Sequence, residues 1–303
     1  MTILVTGATG FLGSALCREL RRRGAKLRAA ARALPEGSDL ADVDWRILDL
    51  AGTPDWPALL DGVTTVYHLA WSSIPASAAS APVQDLTVNV GGLVGLLEAA
   101  RSLPDIRIVF PSSGGTVYGR PDHLPTKEDH PKRPVSAYGV AKSTAEAYLE
   151  LYRASHGVNS IALRISNPIG SGQKPAKGLG VVTHFARAAL AGEPLVLFGD
   201  GLIIRDFVDI ADVVEAMIRA GERRDVAGPL NIGAGVGRSL QDVIAAMEAL
   251  FGRSLPVQGQ PARSFDVPAC VLDISAARTQ LDWRPRHSFE ESLSRLIDAM
   301  AAG

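Results

Sequence analysis

A tyrosine and a lysine stand four residues apart in the segment Ser136–Lys142, where the residue pattern becomes helical. Residues four apart lie on one face of a helix, so the side chains of Tyr138 and Lys142 project together. A phenol has a pKa of about 10, and a neighbouring ammonium favours its phenolate, which brings it closer to a usable general base near neutral pH. The pair therefore predicts proton transfer, although this spacing alone occurs in many helices by chance.

A glycine-rich turn follows the first predicted strand directly, in Thr6–Gly13. Gly7 permits a tight turn, Gly10 lets backbone N–H groups approach a pyrophosphate, and Gly13 lets the next helix pack closely on the sheet. A strand before the turn and a helix after it favour a dinucleotide site over an ordinary connection. NAD or NADP is therefore the expected cofactor.

The end of the second predicted strand bears on which dinucleotide is bound. No carboxylate follows Leu27–Ala31, where one would hydrogen-bond the ribose of NAD, and Arg32 stands where it could pair with a 2′-phosphate. The segment favours NADP, with a solvated surface arginine as the alternative. Asp49, after the third predicted strand, is placed to accept a hydrogen bond from the adenine amino group, and an exposed loop aspartate is its alternative.

Short β-rich runs alternate with longer helical patterns in the first half, which predicts an α/β fold with a doubly wound parallel sheet, a Rossmann fold. Glycine and proline clusters after Pro168 predict a smaller, interleaved substrate domain. We expect a dinucleotide-binding domain at 1–168 and a substrate domain at 169–303, with some segments returning to the first domain. The small-residue stretch Ser72–Ala81 is expected to be a loop. The predicted strands are 3–6, 26–31, 45–48, 65–68, 106–110 and 160–164, and the predicted helices are 11–23, 83–102 and 137–155.

The composition excludes several kinds of partner. The formal net charge of −1, from 31 basic and 32 acidic residues, gives no field that would gather nucleic acid or an anionic membrane. No apolar run approaches the roughly twenty residues of a membrane span, and the first residues lack the features of a secretory signal. The 2 cysteines and 6 scattered histidines offer neither a disulfide framework nor a metal site. A cytoplasmic protein without a bound metal is expected.

These residues, with several further segments, resemble the extended short-chain dehydrogenase/reductase family, and specifically its NAD-dependent epimerase/dehydratase branch. The resemblance covers nearly the whole chain. Several segments are weak individually, and their order along the chain makes the match specific. The segments that carry it are Thr6–Gly13, His68–Ala70, Asn89, Ser112–Gly119, Tyr138 with Lys142, Arg164–Pro168, Arg205–Phe207 and Arg263–Pro268.

The resemblance implies two ligands, a nicotinamide dinucleotide and a nucleotide-sugar. Arg205 and Arg263 are the implied pyrophosphate clamps, and guanidinium groups suit the oxygens of a diphosphate. Ion pairs with Asp206 and Asp266 are the alternative, and Asp266 could also orient the ribose. Further implied cofactor contacts are Phe11, Leu12, Leu50, Leu69, Ala70 and Asn89, and further implied substrate contacts are Ser113, Asn167, Val182, Asp266 and Cys270.

One position departs from the family pattern. Gly114 stands where the family has a Ser or Thr that relays the sugar's proton to the tyrosine. Ser113 and Thr116 are the nearest substitutes and are candidate catalytic residues, with a turn or capping role as the alternative. Cys270 borders the implied sugar pocket, where a small side chain leaves room for a 2-acetamido group, and a buried strand cysteine is the alternative.

The resemblance implies a nucleotide-sugar 4-epimerase of the UDP-hexose type. This reaction needs one base, a bound nicotinamide and room for a ketone to rotate. A dehydratase also needs an acidic pair, and Gly115 and Thr116 occupy those positions. An NADPH-dependent nucleotide-4-ketosugar reductase would use the same tyrosine and lysine and fits Arg32. A dinucleotide-binding module without catalysis is a third interpretation.

Two amphipathic segments bear on assembly. Apolar residues recur at helical spacing in 83–100 and 137–152. In the family the matching helices form the four-helix bundle of a homodimer, so a homodimer is expected, while packing inside one subunit explains the same pattern.

Overall fold

The computed structural model describes residues 2–34, 40, 43–173, 180–262 and 267–302. Of the helices within those ranges, none is long and apolar enough to cross a membrane. The strands are β1 (Thr2–Thr6), β2 (Lys26–Ala31), β3 (Asp44–Ile47), β4 (Val63–His68), β5 (Arg107–Ser113), β6 (Asn159–Ile165), β7 (Asn167–Ile169), β8 (Leu195–Phe198), β9 (Ile204–Asp209), β10 (Gly228–Ile232), β11 (Gly237–Ser239), β12 (Val257–Gln260) and β13 (Ala269–Cys270). The helices are α1 (Phe11–Arg22), α2 (Trp56–Leu60), α3 (Pro75–Ser80), α4 (Pro82–Asp85), α5 (Gly91–Ala100), α6 (Ala137–His156), α7 (Val181–Ala191), α8 (Ile210–Glu222), α9 (Leu240–Phe251), α10 (Ser275–Gln280) and α11 (Phe289–Ala301).

Among the described residues, seven strands form the main sheet in the order β10-β6-β5-β4-β1-β2-β3. The pairs β3–β2, β2–β1, β1–β4 and β4–β5 are parallel. Strands β1 and β4 are buried along most of their length, as expected for a parallel sheet covered on both faces. The strand order reverses between β1 and β4, and ligands of such sheets bind beyond the carboxyl ends of the strands at that point. The predicted doubly wound α/β fold is confirmed.

The prediction of a loop over Ser72–Ala81 is wrong in part, because α3 occupies Pro75–Ser80. Proline is favoured at the first position of a helix, and the Ser77 hydroxyl accepts a hydrogen bond from the Ile74 N–H at 3.0 Å. The interior of α3 is rich in alanine, the residue with the highest helix propensity. Small residues therefore suit a helix here as well as a loop.

The predicted single helix over 83–102 is divided. Helix α4 begins at Pro82, a π-helical turn spans Leu86–Val90, and α5 follows from Gly91. A π turn adds one residue to a helical turn and is frequent at functional sites. This turn contains the fully buried Asn89, one of the predicted cofactor contacts.

The first of two compact units comprises 1–113, 137–164 and 214–230. Its core is formed by the sheet and by α5, with Leu4 and Phe110 fully buried. The distant segment 214–230 is tied to this unit by Arg107 of β5, which donates a hydrogen bond to the Val226 carbonyl oxygen at 2.8 Å. Burial lowers the pKa of Arg107 to about 10, and carbonyl acceptors compensate the guanidinium for its lost hydration.

The second unit comprises 114–136, 165–213 and 231–303. Helices α7, α9 and α11 enclose its core, where Phe185, Val243, Met247 and Leu293 are buried. Strand β9 pairs with β11, β13 and β7 in a small sheet, and β8 and β12 form a separate parallel pair. The small sheet positions the predicted diphosphate residues on β7 and β9.

Candidate active site

The glycine turn leaves the first backbone N–H groups of α1 accessible to a ligand. Gly7 has a φ of 64°, in the left-handed region that favours glycine, and a Cβ there would lie 2.7 Å from the Ala70 nitrogen. A Cβ on Gly13 would lie 2.2 Å from the Gly7 carbonyl oxygen. Within the described part of the chain no side chain caps α1, which begins with the half-buried Phe11 and Leu12, so its first N–H groups can bind an anion. The turn fits the pyrophosphate of a dinucleotide.

A hydrogen-bonded pair at the ends of β1 and β4 supports this turn. Thr6 Oγ1 lies 3.0 Å from His68 Nδ1 and accepts a hydrogen bond from the Ala70 N–H at 3.1 Å. Burial, together with the charge of Lys142, lowers the pKa of His68 to about 3, so the imidazole is neutral and structural. The pair holds Leu69 and Ala70 beside the turn. Among the described residues, no group of His, Cys, Asp and Glu side chains could hold a metal ion.

The residues predicted to surround the adenosine lie at the carboxyl ends of β2 and β3. Arg32 is exposed directly after β2, and it forms no hydrogen bond or ion pair with the rest of the described chain. Asp49 is exposed and accepts a hydrogen bond from the Ala51 N–H at 3.1 Å, which closes a local turn. Leu50 is half-buried and packs against the hydrophobic core. Of these side chains, Arg32 is the most available to a ligand.

Tyr138 and Lys142 lie in the first two turns of α6. Lys142 is buried, and its Nζ donates a hydrogen bond to the Pro111 carbonyl oxygen of β5 at 2.9 Å. The ammonium lies 3.6 Å from the centre of the Trp71 ring and 5.7 Å from the centre of the Tyr138 ring. The half-buried Tyr138 meets the Trp71 ring edge-on, with the ring centres 6.3 Å apart. The structure therefore brings the tyrosine and the lysine together near the carboxyl end of β5.

Burial dominates the charge states of this pair. It raises the pKa of Tyr138 above the usual range of a phenol, and the Asp85 carboxylate adds to the rise. It lowers the pKa of Lys142 to about 7, against the opposing effects of Asp85 and Glu146. Ionisation of the Tyr138 phenol therefore needs further positive charge beside it.

Asn89 belongs to a polar network behind the pair. Its Oδ1 accepts a hydrogen bond from the Ser72 N–H at 2.7 Å, and its Nδ2 donates to Asp85 Oδ1 at 2.7 Å. The Ser73 hydroxyl donates to the same Asp85 oxygen. Asp85 and Trp71 also lie in this candidate site and are not among the residues predicted from the sequence. The available signals were the four-residue spacing from Asp85 to Asn89 and the position of Trp71 directly after His68–Ala70.

One turn after Lys142, a buried ion pair fixes α6 to the sheet. The Glu146 carboxylate binds Arg164 of β6 with an Oε2–Nη2 distance of 2.8 Å and accepts a hydrogen bond from the Ser112 hydroxyl of β5 at 2.5 Å. Both charged side chains are almost fully buried, so loss of either would leave the other buried without its ion-pair partner. The ion pair therefore positions the helix that carries the tyrosine and the lysine.

Ser113 at the end of β5 and Thr116 after it are the two residues predicted to replace a missing hydroxyl. Ser113 is half-buried at the end of the strand. In the second unit, the Gly114 N–H donates to the Ile165 carbonyl oxygen at 2.8 Å, and Cys270 Sγ lies 3.5 Å from the Gly114 carbonyl oxygen. Thr116 Oγ1 is buried and has no hydrogen-bond partner in the described ranges. Buried hydroxyls are normally hydrogen-bonded, so Thr116 is the stronger candidate to meet a ligand.

The predicted diphosphate residues lie on β7 and β9. Arg205 Nη1 donates to the carbonyl oxygens of Ile204 and Val267 at 2.9 and 2.7 Å, which fixes the guanidinium close to the backbone. Asn167 Nδ2 donates to the Asp206 carbonyl oxygen at 3.0 Å. Both side chains are half-buried in the small sheet. They are thus held by backbone groups of the second unit.

Three further predicted substrate contacts stay predictions. Val182 is buried in the hydrophobic core of the second unit, where its side chain packs against other apolar residues. Arg263 and Asp266 lie outside the described residues. The neighbour of Arg205, Asp206, accepts a hydrogen bond from the Ala234 N–H at 2.7 Å, so its carboxylate fixes a loop.

Comparison with known sequences gives one family. Residues 3–233 match the sequence profile of the NAD dependent epimerase/dehydratase family. The chain is 33% identical over 315 residues to the UDP-glucose 4-epimerase of Mycolicibacterium smegmatis, with 98% of each chain covered. It is 29% identical to the dTDP-4-dehydro-6-deoxyglucose reductase of Escherichia coli, with 98% of this chain and 97% of that protein covered.

Solved structures show the same similarity over whole chains. The UDP-glucose 4-epimerase of Thermotoga maritima with UDP-glucose superposes with a TM-score of 0.93 at 30% identity, covering 100% of this chain and 99% of that one. The UDP-glucose 4-epimerase of Thermus thermophilus in complex with NAD gives a TM-score of 0.91 at 32% identity, with 100% of both chains covered.

Proposed function

Because the chain belongs to the NAD-dependent epimerase/dehydratase family, we propose that it is a nucleotide-sugar 4-epimerase of the UDP-hexose type. Such an enzyme oxidises C4 of the sugar to a ketone and reduces it again from the opposite face. The observation that carries the proposal is the pair Tyr138 and Lys142, held near the carboxyl end of β5 in the sheet whose β1 leads into the glycine turn. A proton acceptor beside a nicotinamide site is what this reaction needs.

The first unit fits a nicotinamide dinucleotide. Gly7 and Gly13 form a turn that has no space for a Cβ, and the uncapped start of α1 offers N–H donors to a pyrophosphate. Leu69 and Ala70 would line the cofactor channel, and Lys142 would hold the nicotinamide ribose. When bound, the nicotinamide supplies the hydride chemistry of the reaction.

Tyr138 is the proposed general base. Its phenolate takes the proton of the C4 hydroxyl and returns it to the same oxygen once the ketone has rotated and been reduced. Because burial raises the pKa of Tyr138, this phenolate depends on positive charge from Lys142 and from the oxidised cofactor. The proton and the hydride are each removed and returned, so the cycle has no net oxidation.

We assign to Thr116 the role of the family hydroxyl that is missing at Gly114. Ser113 is the second candidate for this role. Thr116→Val is expected to lower kcat by about tenfold to a hundredfold, because a hydrogen bond to the developing ketone oxygen is lost. Thr116→Ser keeps the hydroxyl and should keep most of the rate. Steady-state kinetics of both variants beside Ser113→Ala check the assignment. A rate that falls in Ser113→Ala and not in Thr116→Val would give the role to Ser113.

The second unit supplies the proposed nucleotide-sugar contacts. Asn167, Arg205 and Arg263 would bind the diphosphate, and Asp266 would orient the ribose or Arg263. Cys270 lies beside Gly114, and burial raises the pKa of its thiol to about 11, so the thiol is neutral. Its small side chain is proposed to leave room for a 2-acetamido group on the sugar.

Incubation of the purified protein with UDP-hexoses and UDP-N-acetylhexosamines, without added reductant, tests the function. The products are separated chromatographically, and the protein is examined for absorbance of reduced nicotinamide. Interconversion of 4-epimers without net oxidation is the expected result. Turnover of UDP-hexoses without turnover of the 2-acetamido sugars would contradict the proposed role of Cys270 and leave the epimerase function in place.

A nucleotide-4-ketosugar reductase is the second candidate. The 29% identity to a reductase of this kind and the exposed Arg32 favour it. Such an enzyme would be inactive in the incubation without reductant and would consume NADPH once a 4-ketosugar is added. The same samples therefore separate the two reactions.

Arg32 is proposed to favour NADP by pairing with its 2′-phosphate. Arg32→Ala should weaken NADP binding by about tenfold or more and leave NAD binding nearly unchanged, because only NADP carries the phosphate. Calorimetric titration of both dinucleotides measures the ratio, with Arg101→Ala as a control for loss of a surface charge. Equal losses for both dinucleotides, or tighter binding of NAD by the unmodified protein, would contradict the preference.

A homodimer and a cytoplasmic location complete the proposal. Helix α6 exposes Val140 and Leu151 three turns apart, and Val83 and Leu86 are exposed in and directly after the neighbouring α4. These apolar residues are proposed to pack against a second copy of the chain.

The buried free thiols of Cys17 and Cys270 suit the reducing cytoplasm.

A further inference from the structure

We propose that Trp71 is a positioning residue for Lys142: the face of its indole ring holds the lysine ammonium, in its charged form, beside Tyr138. The inference rests on the proposed function and adds a residue to its mechanism. It starts from the loop that leaves β4 after His68, in which Trp71 follows the predicted cofactor contacts Leu69 and Ala70.

The surroundings of Lys142 Nζ are short of hydrogen-bond acceptors. In the described ranges its acceptor is the Pro111 carbonyl oxygen at 2.9 Å, although an ammonium has three N–H donors. Aromatic faces occupy two other sides, with the Trp71 ring centre at 3.6 Å and the Phe110 ring centre at 4.6 Å. A tryptophan face is the strongest of the aromatic partners for a cation, and the contact is strongest where water is excluded. Trp71 therefore replaces part of the hydration that burial removes from Lys142.

Trp71 is itself held in place. The next residue, Ser72, donates hydrogen bonds to Asn89 Oδ1 from its N–H at 2.7 Å and from its hydroxyl at 3.0 Å. Ser73 and Asn89 both donate to Asp85 Oδ1. The Trp71 ring also packs against Phe110, with centres 5.7 Å apart. The loop is thus anchored on α4 and the π-helical turn, and Trp71 links this anchor to the catalytic pair.

The indole acts through its face. Trp71 Nε1 is buried and has no hydrogen-bond partner in the described part of the chain, so no bond of the N–H explains where the ring lies. Another aromatic ring at this position should consequently keep the contact with the ammonium, whereas an aliphatic side chain of similar bulk should not. This difference separates a positioning role from simple filling of space.

The charged and titratable groups that face Lys142 come from three elements, α4, α6 and β4. Asp85 of α4 and Glu146 of α6 stabilise the charged form of Lys142, and His68 of β4 is neutral. Tyr138 of α6 is the phenol whose ionised form the ammonium would stabilise. Without the indole face, the two carboxylates and the Pro111 carbonyl oxygen remain, but the ammonium loses its nearest aromatic contact. Its pKa then falls further, the positive charge beside the phenol decreases, and the pKa of Tyr138 rises.

The experiment compares Trp71→Leu and Trp71→Met with Trp71→Phe. In the two aliphatic variants kcat should fall about tenfold at neutral pH, and the acid limb of kcat/KM should move about one unit to higher pH, with KM nearly unchanged. Trp71→Phe should restore most of the rate and the position of the limb. Trp45→Leu, which removes a half-buried tryptophan from β3, is the control and should change neither. An unshifted limb in a folded aliphatic variant, or a phenylalanine variant no better than leucine, overturns the proposal.

A second readout does not depend on turnover. The ultraviolet absorbance of tyrosinate in the cofactor-loaded protein, after subtraction of the same titration for Tyr138→Phe, reports the ionisation of Tyr138 directly. A midpoint that moves to higher pH in the aliphatic Trp71 variants supports the inference, and an unmoved midpoint contradicts it. If the unmodified protein turns over no sugar, the proposed function fails, and this titration still decides the role of Trp71.

Discussion

Replacement of Tyr138 by phenylalanine is expected to lower kcat about a thousandfold, the rate contribution of a well-placed general base. The phenol oxygen is the single atom removed, and the ring keeps its edge-on contact with Trp71, so the helix should fold as before. A phenylalanine ring has no group that can accept a proton, so the variant lacks the proposed general base altogether. Initial rates of sugar interconversion, with separate titrations of cofactor and UDP-sugar, measure the effect.

A matched control lies on the same helix. Tyr148 is a half-buried tyrosine of α6 that packs against the hydrophobic core, so Tyr148→Phe removes a phenol oxygen without touching the pair. Its rate should equal that of the unmodified protein. Equal rates in Tyr138→Phe and Tyr148→Phe would refute the assignment of Tyr138, and a loss of cofactor binding in Tyr138→Phe would mean that the residue acts in binding.

Gly13→Ala is expected to abolish cofactor binding, with a fall in affinity of about a hundredfold or more. The added methyl group would lie 2.2 Å from the Gly7 carbonyl oxygen and 2.9 Å from Ala8 Cα, and both are backbone atoms of the turn. Backbone cannot move aside as a flexible side chain can, so either the turn or the start of α1 must shift. Overpacking of this kind costs about 1–3 kcal/mol of folding stability, which thermal unfolding would record.

Gly91→Ala is the control for the effect of Gly13→Ala on cofactor binding and stability. It also lies in a helix, α5, yet a Cβ there would have no atom within 4 Å outside its own helix. Gly91→Ala should therefore bind the cofactor normally and unfold at the same temperature or slightly higher, since alanine is the better helix former. Normal dinucleotide binding by Gly13→Ala would show that the turn does not hold the pyrophosphate.

The sequence by itself determined the parts of this protein that depend on local pattern. A strand, three spaced glycines and a helix define the turn at Gly7–Gly13, because a Cβ at Gly7 or at Gly13 would clash with backbone atoms. The alternation of strands and helices gave the parallel sheet, since helical and extended periodicities are visible over a few residues. The four-residue spacing of Tyr138 and Lys142 placed both on one helical face. Such features require no knowledge of distant contacts.

The tertiary structure alone decided what surrounds those residues. Trp71 meets Lys142, which is 71 positions away in sequence, and no periodicity within the chain relates the two. Asp85 influences Tyr138 only because α4 packs near α6. The spacing in the sequence predicts that Lys142 favours the phenolate of Tyr138, whereas burial governs both pKa values, and burial is a property of the assembled core. Hydrogen bonds, ring contacts and desolvation act over a few ångströms in space, so residues remote in sequence set the chemistry that local pattern can only locate.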